Sequence, residues 1–137
     1  MVIAPYYTEI AKAQIAAATM VLDRVSAVVE VIEVPGSLEI APAIAMAWAA
    51  DAFDGFVALG CVIRGATSHY DVVVSESARA ITYLTLEGCA IGNGIITVEN
   101  REQAMERADA DRLNTAGGAA EAALHLIGLQ QRFGGSA

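Results

Sequence analysis

A short run of small residues in the middle of the chain is the first place where chemistry is expected. Arg64, Gly65, Ala66 and Thr67 follow an apolar segment and lead into His69. Small residues before a helix leave backbone N–H groups free to hold an anion, and the helix dipole favours negative charge there. Imidazole changes its charge near physiological pH, so His69 can move protons beside a bound anion. The segment predicts a phosphate site next to a proton-transfer group, although an ordinary loop with a helix-capping histidine agrees with the same residues.

Further residues have side chains suited to binding a small molecule. Tyr6 offers an aromatic face, Glu39 offers a carboxylate beside Ser37 and Leu38, and Asn93 offers an amide. A flat ring can stack on the tyrosine, and a carboxylate accepts hydrogen bonds from hydroxyl groups. Glu39 also stands in the first turn of a predicted helix, where it could simply complement the helix dipole.

The elements that must position these residues alternate between strand-like and helix-like patterns. Apolar, β-branched runs predict strands over residues 2–4, 27–34, 55–63 and 90–98, and helical periodicity predicts helices over about 9–25, 37–51, 69–87, 99–108 and 116–133. We predict one domain, residues 1–137 with a mobile tail from about 134. Its fold class is α/β, a three-layer α/β/α sandwich around a four-stranded parallel sheet in the order 2-1-3-4. Ligands bind beyond the carboxyl ends of such strands. We expect four segments there, namely Tyr6 and Tyr7, Ser37 to Glu39, Arg64 to His69, and Asn93 to Asn100.

The composition limits the classes of function. A net charge of −8 argues against nucleic acid as a partner, because its phosphates require a basic face. Hydrophobic residues make up 55% of the chain. Even so, no apolar stretch reaches the roughly 20 residues of a membrane span, and the first residues do not form a secretory signal. We therefore expect a cytoplasmic protein without membrane contact, and the excess of apolar residues favours a homo-oligomer.

Two cysteines and a second histidine are interpreted as structural. Cys61 and Cys89 lie at the edges of apolar strands, without the spacing of metal ligands or of a redox pair. We expect buried free thiols and predict no metal site. His125 lies among small and apolar residues of the last helix, where a structural or surface position is expected.

Three stretches resemble the signature segments of lumazine synthases, in the same order along the chain. They are Val34-Pro35-Gly36-Ser37-Leu38-Glu39-Ile40, Gly60-Cys61-Val62-Ile63-Arg64-Gly65-Ala66-Thr67-Ser68-His69-Tyr70-Asp71 and Glu99-Asn100-Arg101-Glu102-Gln103-Ala104-Met105-Glu106-Arg107-Ala108. The second stretch is long enough to be highly specific. The resemblance implies a transferase of riboflavin biosynthesis that needs no cofactor. It would condense 5-amino-6-(D-ribitylamino)uracil with 3,4-dihydroxy-2-butanone 4-phosphate.

The resemblance also implies a role for each candidate residue. The pyrimidine and its ribityl chain would be bound by Tyr6, Ser37, Leu38, Glu39, Val62, Ile63 and Asn93. The phosphate would be bound by Arg64, Gly65, Ala66, Thr67 and Arg107, with Arg107 supplied by an adjacent subunit. His69 would be catalytic and would transfer protons. The resemblance therefore implies a homo-oligomer, most simply a pentamer, with active sites at subunit interfaces.

Some positions depart from the commonest pattern of that family. Asn93 stands where many members have phenylalanine, Tyr6 replaces phenylalanine or tryptophan, and Thr115 lies near a frequent lysine. These changes concern the ring-stacking contact and part of the anion site. The start of the chain at its first strand and an extra residue around 114–117 favour an isolated pentamer over a closed capsid. Two other classes stay open, a non-catalytic homologue that binds lumazine or riboflavin and a flavodoxin-like electron carrier.

Overall fold

The computed structural model describes residues 1–134. The strands are β1 (Val2–Ile3), β2 (Ile32–Glu33), β3 (Phe56–Ile63) and β4 (Ile91–Val98), and the helices are α1 (Thr8–Asp23), α2 (Ile40–Ala49), α3 (His69–Leu86), α4 (Arg101–Ala108) and α5 (Thr115–Phe133). A 3-10 turn at Ser37–Glu39 precedes α2. None of the helices within residues 1–134 is long and apolar enough to cross a membrane. The tail predicted from about residue 134 falls mainly on residues 135–137, which lie outside the described residues.

The strands form a parallel sheet of four strands in the order β2-β1-β3-β4, which confirms the predicted order. β3 and β4 pair along their full length, from Phe56 opposite Ile91 to Ile63 opposite Val98. β1 pairs with both of its neighbours through its two residues. Because all strands run in the same direction, the loops that follow them emerge together at one edge of the sheet, here called the carboxyl edge.

Helices cover both faces of the sheet, as the three-layer prediction requires. Alternate residues of a strand point to opposite faces. Ile3 and Leu59 pack with α1 and α5, whereas Val2 and Ala58 pack with α2 and α3. The shorter α4 lies beside α1, and its Ala104 packs against the ends of β3 and β4. The observed fold is therefore the predicted α/β/α sandwich.

Helix α5 lies directly against β4. A methyl group at Gly92 would overlap the carbonyl group of Ala119, and one at Gly94 would lie 3.0 Å from the Ala119 side chain. Glycine at these positions lets the helix and the strand approach each other without a side chain between them. The glycines that weaken the strand pattern of β4 in the sequence therefore have a packing function.

The second strand is shorter than the predicted segment 27–34. Only Ile32 and Glu33 pair with a neighbour. β2 is an edge strand, and its neighbour β1 offers only two residues for pairing. The turn before it uses Ser26 in the left-handed conformation, with φ of 55°. The predicted length was wrong because a β-branched run does not reveal how much partner strand is available.

Both cysteines are buried free thiols, as predicted. Burial raises the pKa of Cys61 and of Cys89 to about 11, because a thiolate is poorly solvated in the interior. For Cys61 the charge of Arg101 opposes part of this increase in pKa. Both thiols therefore stay protonated near neutral pH.

Candidate functional site

Most of the candidate residues gather at the carboxyl edge of the sheet. Tyr6 follows β1 and the Ser37–Glu39 turn follows β2. β3 ends at Ile63, directly before the Arg64–His69 loop. The Ser37–Glu39 turn contacts both β3 and α3. Three segments that are distant in the sequence thus meet at the predicted edge.

The Ser37–Glu39 turn packs over the central strand. A Cβ atom at Gly60 would lie 3.0 Å from the Ser37 hydroxyl oxygen, so the absence of a side chain there admits the turn. Ser37 is buried, whereas Leu38 and Glu39 are exposed. Val62 and Ile63, at the end of the same strand, are half-buried. The turn therefore presents one apolar and one acidic side chain next to an apolar strand end.

Tyr6 presents an open aromatic surface. Its side chain is 77% exposed within the described chain. It contacts Tyr7 edge-on, with ring centroids 4.9 Å apart and ring planes at 77°. This contact uses only part of the Tyr6 ring, so a flat ligand can stack on it.

The loop between β3 and α3 has free backbone donors. The N–H groups of Gly65, Ala66 and Thr67 donate to no backbone carbonyl within residues 1–134. A Cβ at Gly65 would meet nothing within 4 Å, so the space beside the backbone is open. Because α3 begins at His69, the positive end of its dipole faces this loop. The arrangement is suited to binding an anion such as phosphate.

His69 lies where the loop becomes helix. Its backbone N–H donates a hydrogen bond of 3.3 Å to the Thr67 hydroxyl, which closes the turn between them. Its side chain is exposed as the first residue of α3. The imidazole can therefore exchange protons with a ligand that is held by the neighbouring amides.

Arg64 has partners within the protein for both its side chain and its backbone. Its Nε donates to Glu99 at 2.8 Å, and its Nη1 lies 3.6 Å from an Asp71 carboxylate oxygen. The guanidinium carbon lies 4.3 Å from the centre of the Tyr70 ring. The backbone N–H donates to the Val98 carbonyl at 2.9 Å. The guanidinium thus connects the loop to α3 and to the end of β4.

Asn93 lies inside β4 and not beyond its end. It pairs with Ala58, five residues before the last strand residue Val98, which is roughly 16 Å along the strand. The prediction that Asn93 lies at the carboxyl edge of its own chain is therefore wrong. Asn93 is exposed on the outer edge of the sheet, and its Oδ1 accepts a hydrogen bond of 3.0 Å from the Ile95 N–H.

Arg107 lies in the last turn of α4 and is half-buried. Its Nη1 donates to the Gln103 carbonyl at 3.2 Å. No hydrogen bond or ion pair joins Arg107 to the Arg64–His69 loop in the described part of the chain. The structure of one chain therefore does not bring Arg107 to the other phosphate candidates.

A cavity of about 520 Å³ lies at the opposite edge of the sheet. Met1, Gly55 and Phe56, which stand where strands begin, are among the residues that line it. None of the candidate residues contributes to this cavity, so it is separate from the site at the carboxyl edge.

Sequence comparison identifies the family. The family model for 6,7-dimethyl-8-ribityllumazine synthase matches residues 1–131. The chain belongs to the lumazine synthase family. This confirms the resemblance seen in the three sequence stretches, and it excludes the class of flavodoxin-like electron carriers.

Several similar proteins are named 6,7-dimethyl-8-ribityllumazine synthase. One from Jannaschia sp. (strain CCS1) is 69% identical over 134 residues, which cover 98% of this chain and 75% of the relative. One from Erythrobacter litoralis (strain HTCC2594) is 51% identical over 131 residues, or 96% of this chain and 94% of the relative. One from Sphingopyxis alaskensis (strain DSM 13593 / LMG 18877 / RB2256) is 56% identical over 105 residues, or 77% of this chain and 74% of the relative.

Sequence reasoning missed two residues of the candidate site, Glu99 and Asp71, which pair with Arg64. A usable signal was present for Glu99. Ile63 and Val98 are opposite each other in the parallel ladder, so the residues that follow them emerge side by side. An arginine after one strand and a glutamate after the next therefore predict an ion pair, once the register is known.

Proposed function

We propose that this chain is an enzyme that forms 6,7-dimethyl-8-ribityllumazine from 5-amino-6-(D-ribitylamino)uracil and 3,4-dihydroxy-2-butanone 4-phosphate. The observation that carries the proposal is the set of free amides from Gly65 to Thr67 directly before His69. It combines an anion site with a proton-transfer group, and a condensation that releases phosphate needs both. The shared name of the relatives supports the same reaction.

In this proposal Tyr6 and the end of β3 bind the pyrimidine. The open ring of Tyr6 stacks on the flat heterocycle, which suits an electron-rich aromatic ligand. Val62 and Ile63 line the other side of the ring with apolar side chains and backbone groups. Their half-buried positions beside the Ser37–Glu39 turn support this role.

The Ser37–Glu39 turn binds the ribityl chain. The exposed carboxylate of Glu39 accepts hydrogen bonds from ribityl hydroxyls, and Leu38 packs along the carbon chain. Asn93 contacts the substrate from a neighbouring subunit. Its exposure on the outer edge of the sheet supports such a contact, because the residue is remote from the site of its own chain.

The phosphate of the four-carbon substrate is held by the amides of Gly65, Ala66 and Thr67. Arg107 of an adjacent subunit completes the anion site. This arginine has no carboxylate partner within residues 1–134, so its charge is available for a ligand. An arginine adds a full positive charge and a bidentate pair of hydrogen bonds to those that the backbone amides donate.

The reaction starts when the 5-amino group of the pyrimidine attacks the ketone carbon and water leaves, which gives an imine. Loss of inorganic phosphate follows, and then the ribitylamino nitrogen closes the second ring with loss of another water. His69 takes and returns protons during these steps, next to the phosphate that leaves. Since an amine and a ketone already react in water, orientation of the two substrates supplies most of the acceleration.

An exposed stripe on α3 supports assembly into a homo-oligomer, and we propose a pentamer in the cytoplasm. The stripe consists of exposed residues at alternating intervals of four and three positions, namely Val72, Glu76, Arg79, Tyr83 and Leu86. Tyr83 is 62% and Leu86 is 83% exposed in one chain. The apolar members Val72, Tyr83 and Leu86 offer surface for contact with another chain, and the Glu76–Arg79 ion pair lies between them.

Purified protein mixed with both substrates tests the enzyme. We expect lumazine fluorescence and inorganic phosphate to rise together, well above the rate of the same mixture without protein. Equal rates of lumazine formation with and without protein would contradict the proposed activity. Bound lumazine or riboflavin without turnover would instead identify a non-catalytic binding protein.

Mixed oligomers test whether two subunits share one site. Arg107→Ala and His69→Ala variants, denatured together and refolded, form rings in which about a quarter of the interfaces combine an intact His69 with an intact Arg107. We expect activity above the mean of the separately refolded variants, towards about a quarter of the wild-type rate. Activity equal to that mean would place both residues in sites within one chain.

A further inference from the structure

We infer that Arg64 is a positioning residue, which holds the Gly65–Thr67 amides in place through Glu99 and does not itself bind the phosphate. The inference rests on the proposed function, because it assigns the phosphate to those amides. It differs from the expectation that Arg64 is a phosphate ligand.

The contacts of the Arg64 side chain reach α3 and the end of β4. The ion pair with Glu99 fixes the side chain to the end of β4, and the contact with Asp71 reaches the first turn of α3. The guanidinium carbon lies over the ring of Tyr70, one residue after His69. A side chain that joins both ends of a loop restricts the conformations that the loop can adopt.

The loop has few other restraints. The amides of Gly65, Ala66 and Thr67 donate to no backbone carbonyl within residues 1–134, and Gly65 has no side chain to pack. The hydrogen bond from the His69 N–H to the Thr67 hydroxyl restrains only the second half of the loop. The first half therefore depends on Arg64, whose own N–H is tied to Val98.

The charges around Arg64 also oppose a direct role. Two carboxylates, Glu99 and Asp71, lie within 2.8 Å and 3.6 Å of its guanidinium nitrogens. The three side chains together carry a net negative charge, so the cluster does not attract an anion. A ligand phosphate would have to displace the carboxylate of Glu99 from Nε before it could pair with the guanidinium there.

The Glu99→Ala variant separates the two roles, because they predict opposite changes. If Arg64 positions the loop, loss of Glu99 releases it, and the KM for the four-carbon phosphate rises about threefold to fivefold with a smaller change in kcat. If Arg64 binds the phosphate, loss of a competing carboxylate lowers that KM. Arg64→Gln is expected to raise the KM about tenfold. The double variant Arg64→Gln/Glu99→Ala is expected to have the same KM as Arg64→Gln, because both changes break the same contact.

Two further measurements do not depend on turnover. Backbone NMR order parameters of residues 65–68 are expected to fall in both single variants, because the released loop samples more conformations, and calorimetric titration with inorganic phosphate is expected to show weaker binding. Glu102→Ala and Arg132→Gln are matched controls. Glu102 lies in the first turn of α4, and Arg132 stacks on Phe133 at the end of α5. Neither control is expected to change the order parameters of the loop.

Tighter phosphate binding in Glu99→Ala, or unchanged order parameters in residues 65–68, would overturn the positioning role. Wild-type protein without turnover would instead refute the proposed function. In that case the order parameters and the phosphate titration still decide whether Arg64 acts through Glu99.

Discussion

The side-chain amide of Gln14 donates a hydrogen bond of 2.8 Å to the carbonyl oxygen of Gly60. The same nitrogen donates a second hydrogen bond, of 3.2 Å, to the carbonyl oxygen of Gly94. Gln14 is only 1% exposed, so a residue of α1 joins β3 and β4 inside the protein. Gly60 stands shortly before the strand end that leads into the site, and the contact therefore links the core to the carboxyl edge.

Replacement of Gln14 by leucine is expected to lower the free energy of unfolding by about 2–4 kcal/mol, because two buried carbonyls lose a donor. Urea unfolding measures the change. Gln130 is a matched control, because its side-chain amide also donates to a glycine carbonyl, that of Gly88, on the exposed surface. Gln130→Leu should change stability by less than about 0.5 kcal/mol, and an equally small effect at Gln14 would contradict the role of burial.

The open space beside Gly65 leads to a prediction about binding without a change in stability. An alanine methyl at this position meets no atom of the chain, so Gly65→Ala should unfold at nearly the same temperature as the wild type. If phosphate occupies that space, its affinity should fall about tenfold, which corresponds to about 1.4 kcal/mol. Thermal unfolding and titration with inorganic phosphate check the two parts. Unchanged phosphate affinity would mean that the anion binds elsewhere.

The contact between α5 and β4 predicts opposite effects for two glycine substitutions. Gly92→Ala places a methyl group against the Ala119 carbonyl, and we expect a loss of stability above about 3 kcal/mol. Gly118→Ala meets no atom within 4 Å, and it should stabilise α5 by up to about 1 kcal/mol. Denaturant unfolding should therefore show a lower free energy of unfolding than the wild type for Gly92→Ala and a higher one for Gly118→Ala. A tolerated Gly92→Ala would show that helix and strand can move apart.

Removal of the imidazole at position 69 should slow turnover about a hundredfold but leave activity above the background reaction, because orientation of the substrates remains. Steady-state rates of lumazine formation measure this. His125→Ala, on the exposed side of α5, serves as the control and should have the wild-type rate. Complete loss of activity in His69→Ala, with fold and phosphate binding intact, would show that proton transfer dominates the catalysis.

The raised pKa of the buried thiols makes stability depend on pH at the alkaline end. A thiol exposed by unfolding ionises near its ordinary pKa of 9.0, whereas Cys89 in the folded chain has a pKa of about 11. The unfolded state therefore loses its proton first, and the free energy of unfolding falls as the pH rises between these two values. Cys89→Ala should reduce this fall by up to about 2–3 kcal/mol. Urea unfolding of the wild type and of Cys89→Ala at pH 8 and at pH 11 measures the difference. An equal loss of unfolding free energy in both proteins would contradict the role of Cys89.

Most of the architecture follows from patterns that one segment carries by itself. The uncharged run that forms β3 and the periodic helix α3 after His69 fix the strand–loop–helix unit at the centre of the site. The length of β2 does not follow from its own residues, because it depends on a two-residue partner strand. Pairing partners are a property of the assembled sheet, which no single segment contains.

The candidate site likewise has features that the sequence predicts and features that depend on the assembled sheet. The free amides after β3 could be predicted from small residues before a helix, and the structure places them there. The partners of Arg64 could not be predicted without the register of β3 and β4, since Glu99 lies 35 positions away in the sequence. The end of β4 at Val98 agrees with the predicted strand, and Asn93 was misplaced because residues 93–100 were assigned to the carboxyl edge although that strand already contained Asn93.

The hydrogen bond from the Ile95 N–H to the Asn93 side chain also bears on how a single chain behaves in solution. An open strand border invites a strand of another molecule, and such pairing starts aggregation. Here one of the donors on that border is already engaged, by a polar side chain that covers it. A newly synthesised chain is therefore less prone to pair with a strand of another molecule at β4 than a chain whose β4 edge had all of its N–H groups free.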